Sequence, residues 1–309
     1  MRADMDIRGA LKMPGAIAYE TDAAPDAIRK IKYFKNSFVV LDEQSAANLE
    51  ELAARANVKN IKAPPLARSF GLVFSDANEL KSADGAVKAR LIDRIQKQTG
   101  LAYRSGLADV EFWLMLRSDK AGYLLQRITK THRQVLAAGE LEAHVAIMLA
   151  RASDPKPGQI FIDPFAGRGA IPLARAKIAK YRGIFAMDDD SGAINALRSK
   201  VRAIRNGRIQ KSFFVKKGDF FKNAFHKYYA DAIATDPPWG LYRKVDDNFY
   251  AAMMTEFGRL MKPGGRLVVL VAREIDLPPS PRLCFVESFP VLIHGEKATV
   301  HIFVATERA

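Results

Sequence analysis

A turn of one acid, two prolines and a tryptophan carries the strongest chemical signal in the sequence. The apolar segment 230–235 is followed directly by Asp236, Pro237, Pro238 and Trp239. The prolines remove two backbone donors and stiffen the turn, which leaves the Asp236 carboxylate and the main-chain carbonyls as fixed acceptors. An exocyclic amino group of a nucleic-acid base offers two N–H donors, and acceptors on both stabilise the charge that develops when its nitrogen attacks. We therefore expect chemistry on such an amino group, with Trp239 as a platform for a base turned out of its stack.

Three further acids stand at or just after the ends of predicted strands. Asp163, Asp188 and Asp219 each follow a short apolar segment, as Asp236 does. In an open parallel sheet, ligands bind in the crevice outside the carboxyl ends of the strands. We therefore expect the four acids to converge on one crevice.

The loop at 163–169 is rich in glycine and precedes a predicted helix. Gly167 and Gly169 permit a tight turn and a close approach of the backbone to a ligand at the helix N-terminus. The third glycine of the dinucleotide fingerprint is absent, because Pro172 stands at its position. An acid in such a loop suits a cation, so Asp163 predicts the amino-acid tail of a sulfonium compound.

The other two acids suit the nucleoside part of the same ligand. A carboxylate at Asp188 can accept both hydroxyls of a ribose, and Asp190 or Ser191 can cap the helix that follows. Asp219 can accept an adenine amino group while Phe220 stacks on the ring. Each acid by itself is also compatible with an ordinary turn, so the prediction depends on all four together.

Alternating strands and helices after residue 140 predict a doubly wound parallel sheet. The predicted strands are 159–162, 183–187, 212–215, 230–235 and 266–271, and the predicted helices are 140–151, 170–180, 191–205 and 248–261. Two further strands, 283–289 and 298–305, are joined by a short connection and should pair antiparallel. Before residue 128 the pattern is mixed α+β, with strands at 38–41, 69–74, 109–117 and 122–128 and helices at 45–56 and 85–98.

Composition narrows the class of protein. The 309 residues carry a formal net charge of +14, which favours a polyanionic partner such as nucleic acid. Cys284 is the only cysteine, which excludes an intramolecular disulfide and a multi-cysteine metal site. The five histidines show no ligand spacing, and we expect no metal. No apolar run suits a membrane span or a secretion signal, so we expect a cytoplasmic protein.

These residues resemble the amino-methyltransferase class of Rossmann-like enzymes that use S-adenosyl-L-methionine. The turn at 236–239 resembles the family's Asp/Asn-Pro-Pro-Tyr/Phe/Trp motif, and the loop at 163–169 resembles its cofactor loop. We expect direct methyl transfer without a covalent enzyme intermediate, at a site with no metal. The catalytic residues that the resemblance implies are Asp236, Pro237, Pro238 and Trp239. The cofactor-binding residues it implies are Asp163, Phe165, Ala166, Gly167, Gly169, Asp188, Asp189, Asp219 and Phe220.

The part of the chain before the predicted parallel sheet resembles the THUMP domain of tRNA-modifying enzymes. The segments that carry this resemblance are residues 69–74, the helix near Leu91 and residues 108–113. The first sixty or so residues are similar to the small ferredoxin-like module that precedes the THUMP domain. The whole resembles the THUMP-containing tRNA guanine-N2 methyltransferases, which implies tRNA as the partner. The implied fold is a Rossmann-like α/β methyltransferase sheet with a C-terminal antiparallel hairpin, preceded by an α+β region. The implied divisions are a ferredoxin-like module at 1–62, a THUMP-like domain at 63–128, a linker at 129–138 and a methyltransferase domain at 139–309.

Two sets of basic residues could lie along an RNA backbone, although a solvated helix face explains the first set equally well. The first set is Arg198, Lys200, Arg202, Arg205, Arg208 and Lys211, and the second is Arg127, Lys130 and Arg133.

Three other functions remain open on the sequence alone. A ribosomal RNA guanine-N2 or DNA adenine-N6 methyltransferase would use the same turn. A non-catalytic RNA-binding protein on a methyltransferase scaffold would lose the chemistry, which the intact set of four acids disfavours. An NAD-dependent oxidoreductase is disfavoured by the missing third glycine.

Overall fold

The computed structural model describes residues 7–13, 16–31, 34–77, 79–128, 140–204, 211–240, 245–246, 248–293 and 295–307. The chain divides into two compact units. The smaller unit comprises Ala23–Ile31 and Lys35–His132, and the larger comprises Met1–Asp22, Lys32–Phe34 and Arg133–Ala309. The predicted linker at 129–138 lies outside the described residues. No helix among the described residues is both long enough and apolar enough to cross a bilayer.

The chain begins with an antiparallel hairpin of β1 (Ile7–Met13) and β2 (Ala16–Thr21), which was not predicted. The smaller unit then contains α1 (Pro25–Arg29), β3 (Phe38–Ser45), α2 (Leu49–Arg55), β4 (Ser69–Asp76), β5 (Glu79–Lys81), α3 (Gly85–Thr99), β6 (Ala102–Tyr103), β7 (Val110–Leu116) and β8 (Ala121–Arg127). Its sheet has the order β3-β8-β7-β4-β5, with β6 beside β4.

The predicted helix at 85–98 and the predicted strand at 109–117 are confirmed, and each has a buried face. Leu91 and Ile95 on α3 and Phe112 on β7 are fully buried in one core. The helix begins because Asp84 accepts the backbone N–H groups of its first turn, and it ends at Gly100 in the left-handed conformation.

Strand β3 continues beyond the predicted Phe38–Leu41 because its polar end pairs with β8, where Asp42 stands opposite Leu124. A side-chain pattern cannot reveal pairing that is carried by the backbone. Elements on both sides of the expected boundary at residue 62 therefore share one sheet. The ferredoxin-like and THUMP-like assignments of these elements remain predictions.

The larger unit contains the predicted doubly wound sheet. Its elements are α4 (Ala143–Ala152), β9 (Gln159–Asp163), α5 (Ala170–Ile178), β10 (Tyr181–Asp188), α6 (Ser191–Ala203), β11 (Phe213–Lys217), a 3-10 turn at Phe220–Lys222, β12 (Ala230–Thr235), α7 (Phe249–Leu260), β13 (Met261–Ala272), β14 (Leu283–Ile293) and β15 (Glu296–Ala305).

The strand order of this sheet is β11-β10-β9-β12-β13-β15-β14. The first five strands are parallel, and β15 runs antiparallel to both β13 and β14, which confirms the predicted terminal hairpin. The chain moves outward from β9 through β10 to β11 and then returns to place β12 on the other side of β9. The crevice between the carboxyl ends of β9 and β12 is therefore the topological switch point at which such sheets bind ligands.

Both faces of the sheet are covered. Helices α4, α5 and α6 share one core with Phe161, whereas α7 shares the other with Ile160 and Ile162. Burial on both faces explains why β9 is apolar at consecutive positions instead of alternating.

Gly169 fixes the connection between β9 and α5. Its φ is +85°, and a Cβ atom there would overlap the side chain of Leu197 on α6. Gly158 has a similar φ of +80°, but a Cβ atom there would meet nothing within 4 Å.

We expect Gly169→Ala to destabilise the protein more than Gly158→Ala. The left-handed conformation costs an alanine about 1 kcal/mol at either position, and overlap with Leu197 adds about 1–3 kcal/mol at Gly169 alone. Urea unfolding of the two variants measures the difference. Equal loss of unfolding free energy would contradict the close packing of α6 on this loop.

Candidate active site

Asp163 ends β9 and is completely buried. Its Oδ1 accepts the hydroxyl of Thr235 at 2.7 Å and the backbone N–H of Phe165 at 3.3 Å. Its Oδ2 is buried and has no hydrogen-bond partner in the described part of the chain. A buried acceptor without a donor costs free energy, so this oxygen is suited to a ligand that brings a donor or a positive charge.

Asp188 ties the glycine loop to the end of β10. Its Oδ2 accepts the backbone N–H of Gly167 at 2.8 Å, and its Oδ1 accepts that of Asp190 at 2.9 Å. The backbone N–H of Ala166 donates to the Met187 carbonyl at 2.7 Å. Asp188 therefore shapes the loop, and each of its oxygens keeps a lone pair for a further donor. The neighbouring Asp189 is exposed.

Three of the four acids interact electrostatically. Burial raises the pKa of Asp163 well above its ordinary value, and the charges of Asp188 and Asp236 raise it further. Burial also raises the pKa of Asp188. Burial raises the pKa of Asp236 to about 7, although its hydrogen bond from Trp239 opposes the shift. These three carboxylates are therefore close enough to interact, and their surroundings favour protons or cations.

The turn after β12 is held by two hydrogen bonds from aromatic side chains. The Trp239 indole Nε1–H donates to Asp236 Oδ1 at 2.9 Å, and the Tyr250 hydroxyl donates to the Pro238 carbonyl at 2.8 Å. The second Asp236 oxygen and the Pro237 carbonyl accept no hydrogen bond from the described residues. Two acceptors are thus left available, which is the number that a primary amino group can satisfy.

The surroundings of Asp219 and Phe220 differ from those expected of residues that bind an adenine ring. Asp219 is exposed and accepts the Phe221 backbone N–H at 2.9 Å, which caps the 3-10 turn. Phe220 is only 2% exposed and packs in the core on Phe165 and Phe257. Its faces are occupied by protein, so the stacking role expected of Phe220 does not fit. The exposed ring of this turn is Phe221, with 42% of its surface accessible.

The sequence did not identify two aromatic side chains that contact the loops at the carboxyl edge of the parallel sheet. Phe249, the first residue of α7, lies 5.8 Å from Phe165 and 5.6 Å from Phe221 between ring centroids. Tyr250 follows it and contacts the turn after β12. An aromatic pair at the start of a helix is usual in a core, so the sequence offered no signal that separates these two from packing residues.

Two of the basic residues expected along RNA are engaged within the protein. Lys200 forms an ion pair with Glu140 at 2.5 Å, and Arg127 forms one with Glu111 at 2.7 Å. Arg127 also donates to Asn36. Contact of these two residues with RNA stays a prediction. Lys130, Arg133, Arg205 and Arg208 lie outside the described residues.

Residues 130–280 match the model of the family described as UPF0020, RMKL-like, methyltransferase domain. The predicted resemblance to methyltransferases is thereby confirmed, and the matched residues contain both the glycine loop and the Asp-Pro-Pro-Trp turn.

Proteins with related sequences are named as tRNA enzymes. The chain is 28% identical over 142 residues to "tRNA (guanine(6)-N(2))-methyltransferase THUMP3" of Mus musculus, covering 42% of this chain and 28% of that protein. It therefore spans less than a third of the length of this relative. It is 24% identical over 169 residues to "Probable tRNA (guanine(10)-N2)-dimethyltransferase" of Methanothermococcus thermolithotrophicus, covering 53% of this chain and 99% of that protein.

Among solved structures, the chain is similar in fold to TrmN from Thermus thermophilus. The TM-score is 0.64 at 19% sequence identity, and the match covers 94% of this chain and 89% of that one. This similarity shows the α/β fold.

Proposed function

We propose that this protein is an S-adenosylmethionine-dependent methyltransferase that forms N2-methylguanosine in tRNA. The observation that carries the proposal is the turn after β12, where the second Asp236 oxygen and the Pro237 carbonyl have no donor among the described residues, beside the buried carboxylate of Asp163. The relatives named as guanine-N2 methyltransferases support the same base and the same atom.

The crevice fits the proposed cofactor. The unpartnered Asp163 Oδ2 suits an ammonium group, and the raised pKa values of Asp163 and Asp188 favour a cationic ligand. Asp188 keeps lone pairs for ribose hydroxyls, and Asp219 is accessible to an adenine amino group. When bound, S-adenosylmethionine supplies a methyl group made electrophilic by its positive sulfur. In this proposal Phe221 replaces Phe220 as the accessible ring of the pocket.

The acceptor turn would bind the guanine N2 amino group through both of its protons. Asp236 Oδ2 takes one N–H and the Pro237 carbonyl takes the other, which directs the nitrogen lone pair out of the plane of the base. A methylated amine must then lose a proton. Asp236, with its pKa raised to about 7, is suited to receive that proton near neutral pH.

The chain's charge of +14 supports a nucleic-acid substrate. We assign tRNA over ribosomal RNA and DNA because the related proteins carry tRNA names, and we place the protein in the cytoplasm with that substrate. The smaller unit is the proposed RNA-binding part, as the THUMP-like resemblance implies.

Methyl transfer from labelled S-adenosylmethionine tests the function. Unmodified tRNA, ribosomal RNA and duplex DNA are offered to the wild type, to Asp236→Ala and to Asp93→Ala, and the modified nucleosides are identified by mass spectrometry. Asp93 is an exposed acid on α3 and serves as the matched control. We expect N2-methylguanosine in tRNA, a loss of about a hundredfold or more in Asp236→Ala and wild-type activity in Asp93→Ala. Label in DNA or ribosomal RNA alone would contradict tRNA as the substrate. Full activity of Asp236→Ala would contradict the role of Asp236 in methyl transfer.

The raised pKa of Asp236 predicts a pH dependence. Only the ionised carboxylate is a full acceptor, so the single-turnover rate should rise with pH and level off above about 7. Below that value the rate should fall about tenfold for each pH unit. Asp236→Asn keeps an oxygen acceptor but cannot titrate, so its lower rate should be flat over the same range. A wild-type profile that is flat between pH 5 and 8 would contradict the assignment.

A further inference from the structure

Tyr250 lies at the start of α7, ten residues or more after the turn that it contacts, and it is half-buried. Its hydroxyl donates to the Pro238 carbonyl at 2.8 Å. Its ring meets Phe249 edge-on at 5.2 Å between centroids. The side chain is thus fixed at both ends, by the helix that carries it and by the turn that it contacts.

This hydrogen bond acts on a backbone angle of the turn that the prolines do not fix. The pyrrolidine ring fixes φ of Pro238 but leaves ψ free to rotate. The direction of the Pro238 carbonyl is set by ψ, so a donor fixed on that carbonyl fixes ψ as well. The same angle sets where Trp239 lies, and Trp239 in turn holds Asp236 Oδ1.

The bond also engages a competing acceptor. One lone pair of the Pro238 carbonyl is engaged by Tyr250 and one of Asp236 Oδ1 by Trp239. The acceptors of the turn that have no donor among the described residues are then the second Asp236 oxygen and the Pro237 carbonyl. If the Pro238 carbonyl were free, a substrate amino group would have a third acceptor in another direction. An amino group that can choose between acceptors in different directions is not held in one orientation for reaction.

The hydroxyl stays a donor under the conditions in which Asp236 is ionised. Burial raises the pKa of Tyr250 above its ordinary value, and the negative charge of Asp236 raises it further. The hydroxyl is therefore protonated throughout the range in which Asp236 loses its proton.

We propose that Tyr250 is a positioning residue for methyl transfer, which fixes the Pro238 carbonyl and through it the orientation of Trp239 and the Asp236 carboxylate. This inference rests on the proposed function for its kinetic consequence. The hydrogen bonds on which it depends do not rest on that function.

The kinetic experiment compares Tyr250→Phe with the control Tyr229→Phe. Tyr229 stacks on Phe225, its hydroxyl makes no hydrogen bond within the described residues, and the substitution removes the same atom. For Tyr250→Phe we expect kcat on the methyl-accepting RNA to fall by about ten- to a hundredfold. The dissociation constant for S-adenosylmethionine and the thermal unfolding temperature should stay at wild-type values. A kcat within twofold of the wild type, or an equal loss in Tyr229→Phe, would overturn the proposal.

A spectroscopic experiment tests the same inference without any substrate. Trp113 and Trp239 are the two tryptophans of the chain, so Trp113→Phe leaves Trp239 as the sole indole reporter in the turn. In that background Tyr250→Phe should shift the Trp239 emission and lower its anisotropy, whereas Tyr229→Phe should leave both unchanged. Unchanged Trp239 emission and anisotropy in Tyr250→Phe would overturn the proposal. If the wild type methylates no nucleic acid, the proposed function fails and this measurement alone decides the role of Tyr250.

Discussion

Mutual repulsion of carboxylates at the end of a buried sheet is the constraint on which the rest of the site depends. Asp163, Asp188 and Asp236 are close enough that each ionisation is felt at Asp163, and the hydroxyl of Thr235 is the only side-chain donor to Asp163 within the described residues. Buried charges without an opposite charge reduce stability. A protein retains such an arrangement where a ligand supplies the missing donors and positive charge.

The architecture keeps the acids together despite that cost. Strands β9 and β12 are neighbours and end at the same edge, and both are buried by helices on either face. The glycine loop cannot move away, because Asp188 holds Gly167 and α6 packs against Gly169. Rigid elements of this kind hold a site in its working geometry before a ligand arrives, so little reorganisation is needed on binding.

The sequence predicted the larger unit well because its chemistry lies where strands end. Apolar segments followed by acids gave the parallel strands and the positions of Asp163, Asp188 and Asp236. The contacts that cross between elements could not be predicted in the same way. Whether Phe220 or Phe221 faces the crevice depends on the geometry of one 3-10 turn. The polar end of β3 became a strand because β8 offered its backbone, which no side-chain pattern reports.

Proton release on cofactor binding tests the central claim most directly. Carboxylates with raised pKa values keep their protons to higher pH in the free protein, and a bound cation that lowers those pKa values releases protons to the buffer. Titration calorimetry with S-adenosylmethionine at several pH values between 5 and 8, in buffers of different ionisation enthalpy, counts the protons released per molecule bound. The account predicts net release by the wild type, with weaker binding and less release in Asp163→Asn. Binding without proton exchange, or unchanged release in Asp163→Asn, would contradict it.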